Sequence, residues 1–193
     1  MKPTIDFKAL MVMILLAAGF LYAGAQDDKY ADTYACQKGM VHFFSATAME
    51  NIDATTNSAI CVLNTKTKKV FCKIKQSGFT FKDKLMQEHF NENYMESDKF
   101  PKSEFKGAIT NMNEVNFAKD GTYSAKVTGK LTIHGVTKDL TVPGTITVSG
   151  NTMKASTKFT IKLQDYNITI PSVVADKIAK DATIKLESDL IRK

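Results

Sequence analysis

The stretch TYSAKVTGKLTIH, residues 122–134, carries the strongest structural signal in this chain of 193 residues. One side of it is apolar or small, and the residues on the other side are all polar or charged. The first set comprises Tyr123, Ala125, Val127, Gly129, Leu131 and Ile133. Alternation with a period of two residues is typical of a β-strand that buries one face and exposes the other. The stretch therefore predicts a long strand with an apolar inner face.

The same alternation recurs along the chain and predicts a protein built from strands. It is clear at 152–163 and 182–190 and weaker elsewhere. Strands are expected near 39–46, 58–64, 68–76, 103–112, 121–134, 137–148, 152–163 and 181–192. Short breaks at Gly121, Gly135 and Gly150 are suited to tight hairpins. The pattern predicts an all-β fold, an eight-stranded antiparallel lipocalin-like β-barrel, because closure removes the exposed edges of an open sheet.

Two segments depart from the alternation and predict helices. Within 82–94, Leu85, Met86, Phe90 and Tyr94 recur at helical spacing, so this segment is expected to be an amphipathic helix. A short second helix is expected at about 172–180, after Pro171, with Ser172 as its N-cap.

The first 25 residues have the features of a signal peptide. Lys2 and Lys8 precede an apolar run of 13 residues, 9–21, which leads to the small residues 23–25. A membrane-spanning helix needs about 20 apolar residues, so this run is too short to serve as an anchor. We expect cleavage after Ala25, a single domain over 26–193, no stable membrane anchor after cleavage, and a periplasmic or secreted protein.

The three cysteines leave two interpretations open. Cys61 and Cys72 would face each other if 58–64 and 68–76 form a hairpin, and opposed strand positions are close enough for a disulfide. Cys36 would then be the free thiol. Alternatively, Cys61 and Cys72 are small buried apolar residues without a bond between them.

Composition and motif spacing argue against several functional classes. The net charge is +6, but the lysines are dispersed along the strands instead of clustering with aromatic residues, which argues against a nucleic-acid partner. His42, His89 and His134 are far apart, and His134 is expected to point outward. No spacing suggests a metal site, a cofactor site or a catalytic residue, so we do not expect an enzyme.

The inner face of the predicted barrel mixes large and very small side chains. An eight-stranded barrel either fills with side chains or holds one small ligand, and small inward residues favour the ligand. The alternative is that the glycines relieve curvature or allow close packing around a filled core. The candidate ligand-binding residues are Leu85, Met86 and Phe90 on the helix, with Phe105, Tyr123, Ala125, Val127, Gly129, Leu131, Phe159 and Ile161 on the strands.

Two separated motifs resemble the YceI-like family. The first runs from 79–82 through the helix to Phe105 and includes SDKFP at 97–101; the second is GKLTIHGVTK at 129–138. Asp165 and Tyr166 also match a polar-aromatic turn of that family, and the resemblance covers about 37–192. It implies an exported barrel that binds and carries a polyisoprenoid or other apolar lipid. A non-catalytic structural or protein-interaction barrel with a filled core is the alternative. The oligomeric state stays open, with a homodimer among the options.

Overall fold

Eight long antiparallel strands form a closed barrel in the computed structural model of the chain, which describes residues 32–193. The signal peptide expected at 1–25 lies outside the described residues. Residues 32–193 contain these eight barrel strands and one short additional strand, β4. They are β1 (Thr33–Ala46), β2 (Asn51–Asn64), β3 (Lys69–Lys75), β4 (Thr80–Phe81), β5 (Lys102–Ile109), β6 (Gly121–Ile133), β7 (Val136–Ser149), β8 (Thr152–Lys162) and β9 (Asp181–Arg192).

The barrel closes because β1 pairs with both β9 and β2. The remaining neighbours follow the order β9-β8-β7-β6-β5-β3-β2, and the two-residue β4 is added to the edge of β2. The register of β6 against β7 is unbroken from the pair Gly121–Val148 to the pair Ile133–Val136. His134 and Gly135 connect these strands, both with positive φ, as a two-residue hairpin of this twist requires. The predicted all-β, eight-stranded antiparallel β-barrel is confirmed.

The first two strands begin earlier than the alternation predicts. β1 starts at Thr33 instead of near 39, and β2 starts at Asn51 instead of near 58. The register between them shifts between Cys36 and Gly39 and again between Gly39 and Val41. Each irregularity changes which residues point inward, so the period-two pattern is interrupted although the strand continues.

The long helix is divided into two parts. Helix α1 spans Lys84–His89, and a π-helical segment continues it over Phe90–Tyr94. Helix α1 starts two residues later than expected because the Asp83 carboxylate caps it, accepting a hydrogen bond of 2.9 Å from the Met86 backbone N–H. Within residues 32–193, no helix is long and apolar enough to cross a membrane.

The prediction of a second helix at about 172–180 was wrong in its extent. The structure has a single 3-10 turn, Ser172–Val174, with Pro171 and not Ser172 at the N-cap position and no side-chain cap. Val173 is 85% exposed. A helix of this length gains little without a cap or a buried apolar face, so the segment remains a series of turns.

The barrel interior has two apolar clusters, one at each end. At the end where α1 lies, which we call the helix end, the core surrounds Phe79, Phe81 and Phe90. At the opposite end, which we call the terminal end because β1 starts and β9 ends there, the core surrounds Met153 and Leu190.

Cys61 and Cys72 form a disulfide between β2 and β3, and Cys36 is a buried free thiol. The two bonded residues are direct cross-strand partners, with Cα atoms 4.2 Å apart. The hairpin register therefore decides between the two interpretations that the sequence left open.

Thiol counting on unreduced, denatured protein should find one reactive sulfur per chain. We expect Cys61→Ala to lower the free energy of unfolding by about 2–3 kcal/mol, since the bond closes a short loop. Cys61 is the residue to replace because it also pairs with Cys36 across β1 and β2, so removing Cys72 would leave Cys61 beside another thiol. Three reactive sulfurs per chain would show that the bond is absent.

Candidate functional site

A cavity of about 530 Å³ occupies the barrel interior. Its lining reaches from Phe81 and Phe90 at the helix end to Leu63, Ile109 and Leu190 at the terminal end. The volume lies within the range of small-molecule binding sites, and the wall is formed mainly by aliphatic and aromatic side chains. Such a space favours an apolar guest because water inside it would find few hydrogen-bond partners.

Nine of the eleven candidate ligand-binding residues line this cavity. They are Leu85, Met86, Phe90, Phe105, Ala125, Val127, Leu131, Phe159 and Ile161. Tyr123 and Gly129 do not line it. The Tyr123 hydroxyl instead donates a hydrogen bond of 2.9 Å to the Lys119 carbonyl oxygen at the edge of the barrel.

Gly129 allows close packing and adds no cavity space. It pairs with Gly107 on β5, and the Phe105 ring lies against both glycines. A Cβ atom at Gly129 would lie 2.8 Å from Phe105 Cζ, and one at Gly107 would lie 2.6 Å from the same atom. The small residues therefore have different roles: Ala125 borders the cavity, whereas the two glycines accommodate a ring that forms part of the wall.

The helix end of the cavity is only partly covered. Leu85 lines the cavity and is nevertheless 58% exposed, and Glu50 and Lys177 contribute to the lining from two other connections. Phe90, by contrast, is buried against three other rings, with centroid distances of 4.9–5.9 Å to Phe81, Phe79 and Phe43. The segment that contains Phe90 is therefore anchored in the core, whereas α1, which contains Leu85, lies at the opening.

Hydrogen exchange should distinguish a movable lid from a fixed plug. We expect the amides of α1 to exchange faster than those of β6 in lipid-free protein and to slow when a lipid is bound, because α1 has no buried side chain. The matched reference is β6–β7, whose pairing is continuous. Equal, strand-like protection of α1 in both states would reject the lid.

His134 joins the helix end to the β6–β7 turn, and the expectation that it points outward was wrong. Its side chain is only 10% exposed. Nε2 lies 2.7 Å from a Glu96 carboxylate oxygen, Nδ1 lies 3.2 Å from the Tyr166 carbonyl oxygen, and the ring packs on Phe100 at 4.5 Å between centroids. Both nitrogens face acceptors, so both bonds form together only when each nitrogen carries a hydrogen. The local sequence around His134 offered no sign of these distant partners.

Acid should weaken the interaction between His134 and Glu96. The hydrogen bond from His134, followed by the charge of Lys99, lowers the pKa of Glu96 from its ordinary value. A carboxyl whose pKa is lower in the folded state stabilises the protein above its unfolded pKa and loses that contribution as pH falls through the folded pKa. We therefore expect urea unfolding midpoints to fall between about pH 5 and pH 3.

The matched comparison is Glu96→Gln, which should show a smaller fall over the same pH range. A fall should remain in this variant because ion pairs with Lys102 and Lys106 also lower the pKa of Glu104. Parallel pH curves for the two proteins would contradict a contribution from the connection between Glu96 and His134.

Within residues 32–193, no group of three or more His, Cys, Asp or Glu side chains is arranged to hold a metal ion. The described chain forms a barrel around a mainly apolar cavity.

Similar architectures occur in several solved proteins. A polyisoprenoid-binding domain from Saccharophagus degradans, implicated in plant cell wall breakdown, superposes with a TM-score of 0.73 at 10% identity, over 84% of this chain and 99% of that one. BcnA of Burkholderia cenocepacia has a TM-score of 0.64 at 21% identity, over 81% and 97%. The YCEI protein of Campylobacter jejuni has a TM-score of 0.56 at 19% identity, over 77% and 84%.

At these identities the solved structures establish a shared fold. No curated protein sequence matches the chain significantly. The model of the YceI-like domain matches residues 34–190, which is nearly all of the barrel from β1 to β9. The chain therefore belongs to the YceI-like domain family.

Proposed function

We propose that this protein binds and carries an apolar chain, a polyisoprenoid or a similar lipid, inside its barrel. The observation that carries the proposal is the cavity of about 530 Å³ with its mainly apolar wall. The similar domain from Saccharophagus degradans is described as polyisoprenoid-binding, which supports this ligand class. The candidate binding residues are the nine that line the cavity, with Phe90 and Phe105 as its aromatic walls. The proposed role is binding, not catalysis.

We further propose that the protein is exported and acts in the periplasm or outside the cell. The signal peptide expected at 1–25 supports this location. The Cys61–Cys72 disulfide supports it independently, because such bonds persist in oxidising compartments and are rare in the cytosol. A carrier in this location would shield a water-insoluble chain during transfer.

A non-catalytic structural or protein-interaction barrel is the second candidate, and a homodimer remains a prediction for either. A structural barrel would be expected to have a filled core, and the cavity disfavours that arrangement. Organic extraction of the purified protein followed by mass spectrometry tests the choice. A carrier should yield a lipid in near-stoichiometric amount, whereas protein that yields none and takes up none from lipid micelles would overturn the carrier proposal.

A further inference from the structure

Among the buried polar residues of the cavity wall, which also include Ser45 and Ser188, two are hydrogen-bonded to each other. Gln76, which follows β3, and Ser103, in β5, both line the cavity, and they are only 3% and 6% exposed. The Gln76 side-chain amide donates a hydrogen bond to Ser103 Oγ. Polar side chains are costly to place in an apolar interior unless they are hydrogen-bonded. Ser45, by comparison, bonds a backbone carbonyl, that of Asp181, whereas Gln76 and Ser103 bond each other.

The pair has hydrogen-bonding capacity that the protein leaves unused. The backbone N–H of Gln76 bonds the Pro101 carbonyl at 3.0 Å, which holds the residue in place. Within residues 32–193 the bond to Ser103 is the hydrogen bond of the Gln76 side chain, and no side-chain N or O atom there is both buried and unbonded, so Oε1 is accessible from the cavity. Ser103 Oγ accepts from the amide and can still donate its own proton. The pair therefore offers the Oε1 acceptor, the Ser103 hydroxyl donor and the second N–H of the Gln76 amide beside the cavity.

The surroundings of the pair select against a charged ligand group. Ser103 lies between Lys102 and Glu104 in β5, and those two side chains form an ion pair of 2.8 Å with each other. Lys102 does not line the cavity, whereas Glu104 contributes to its lining and brings a negative charge close to the pair. Among residues 32–193, the one lysine of the lining, Lys177, belongs to the connection that precedes β9 and is not bonded to Gln76 or Ser103. An anion beside Ser103 would therefore lose its hydration for two neutral side chains and a neighbouring carboxylate, which is unfavourable.

We propose that Gln76 and Ser103 form a polar subsite for one uncharged hydroxyl or carbonyl group of an otherwise apolar ligand. This inference rests on the carrier function proposed above and specifies its ligand class. A hydroxyl group would donate to Gln76 Oε1 and accept from the Ser103 hydroxyl; a carbonyl would use a donor alone. Gln76 follows the end of β3 that lies at the helix end. The polar group therefore binds there, and the tail extends toward the terminal end, where Leu63 and Ile109 line the cavity.

Three related probes test the subsite in the full barrel: a C20 isoprenoid alcohol, the hydrocarbon in which hydrogen replaces its hydroxyl, and its diphosphate. Each is titrated by displacement of a fluorescent fatty-chain probe. We expect wild-type protein to bind the alcohol about tenfold more tightly than the other two, a typical effect of satisfying buried polar groups. Ser103→Ala and Gln76→Leu should each weaken alcohol binding far more than hydrocarbon binding, so that most of this preference is lost.

Thr56→Val is the matched control. Thr56 is 3% exposed, but its hydroxyl bonds Ser58 at 2.7 Å and does not line the cavity, so its removal should leave the alcohol preference intact. Equal binding of alcohol and hydrocarbon by wild-type protein, or a preference for the diphosphate, would overturn the subsite. Equal weakening of both probes in Ser103→Ala would do the same.

Failure of the carrier function has a different signature, namely that no chain of any kind displaces the fluorescent probe. If Gln76→Leu does not fold, Ser103→Ala, which removes one oxygen atom, decides the role of the pair. The comparison of probes on wild-type protein decides the ligand class without any variant.

Discussion

Ala125→Phe is expected to abolish ligand binding while the barrel remains folded. Ala125 is 4% exposed and lines the cavity from the half of β6 nearer the terminal end, so a phenyl ring there must project into the space that the ligand would occupy. Overpacking of this kind typically costs about 1–3 kcal/mol, which a closed barrel can tolerate. Organic extraction and mass spectrometry of the variant should recover almost no lipid, and circular dichroism should still report β structure.

Ser124→Phe is the matched control because it adds the same ring one residue earlier in β6, on the exposed face. It should retain the full amount of lipid. Gly129→Leu is unsuitable for this test, because its new side chain would collide with the Phe105 ring and the β5 backbone instead of entering the cavity. A folded Ala125→Phe protein with its complete complement of lipid would show that this part of the cavity does not hold the ligand.

Phe90→Ala should produce the largest loss of stability, about 3–5 kcal/mol in the free energy of unfolding. The Phe90 ring is 8% exposed and makes edge or tilted contacts with Phe43, Phe79 and Phe81. Its removal eliminates these contacts and leaves a void that joins the ligand cavity. The measurement is urea unfolding of lipid-free protein, so that changes in ligand affinity do not contribute.

Leu85→Ala provides the comparison for Phe90→Ala. Leu85 belongs to the same apolar stripe but is 58% exposed, so its replacement should cost less than about 1 kcal/mol. A similar loss in both variants would mean that α1 packs as tightly as the segment that follows it. A small loss for Phe90→Ala would show that the aromatic cluster is not an anchor.

The alternation that is clearest in β6 and recurs along the chain was sufficient to predict the barrel, because period-two patterning depends only on neighbouring positions in the chain. Even so, the sequence placed the starts of β1 and β2 too late. The bulges around Gly39 change the phase of the alternation, and pairing with β9 and β2 maintains the strand where the local pattern is lost. Local periodicity therefore determined the fold class, whereas cross-strand hydrogen bonds determined where these strands begin.

The disulfide shows which cross-strand contacts can be predicted from the sequence. A hairpin between β2 and β3 requires only the local turn, so the sequence could identify Cys61 and Cys72 as opposed residues. It could not establish that Cys36 lies on the other side of Cys61, because β1 and β2 shift register between Cys36 and Gly39. Within one hairpin, counting residues from the turn shows which residues face each other across the strands. Beyond a register shift, such counting no longer identifies the facing residues.

By itself, the sequence determined the antiparallel barrel, its amphipathic helix and nine residues that border its interior, because alternation and helical spacing follow from periods of two and 3.6 residues. The tertiary structure alone decided that Phe105 covers Gly107 and Gly129, that His134 meets Glu96, and that Gln76 meets Ser103. These contacts join residues on different strands and loops. Their geometry depends on strand register and loop paths, which are set by packing across the whole barrel and leave no periodic signal in the local sequence.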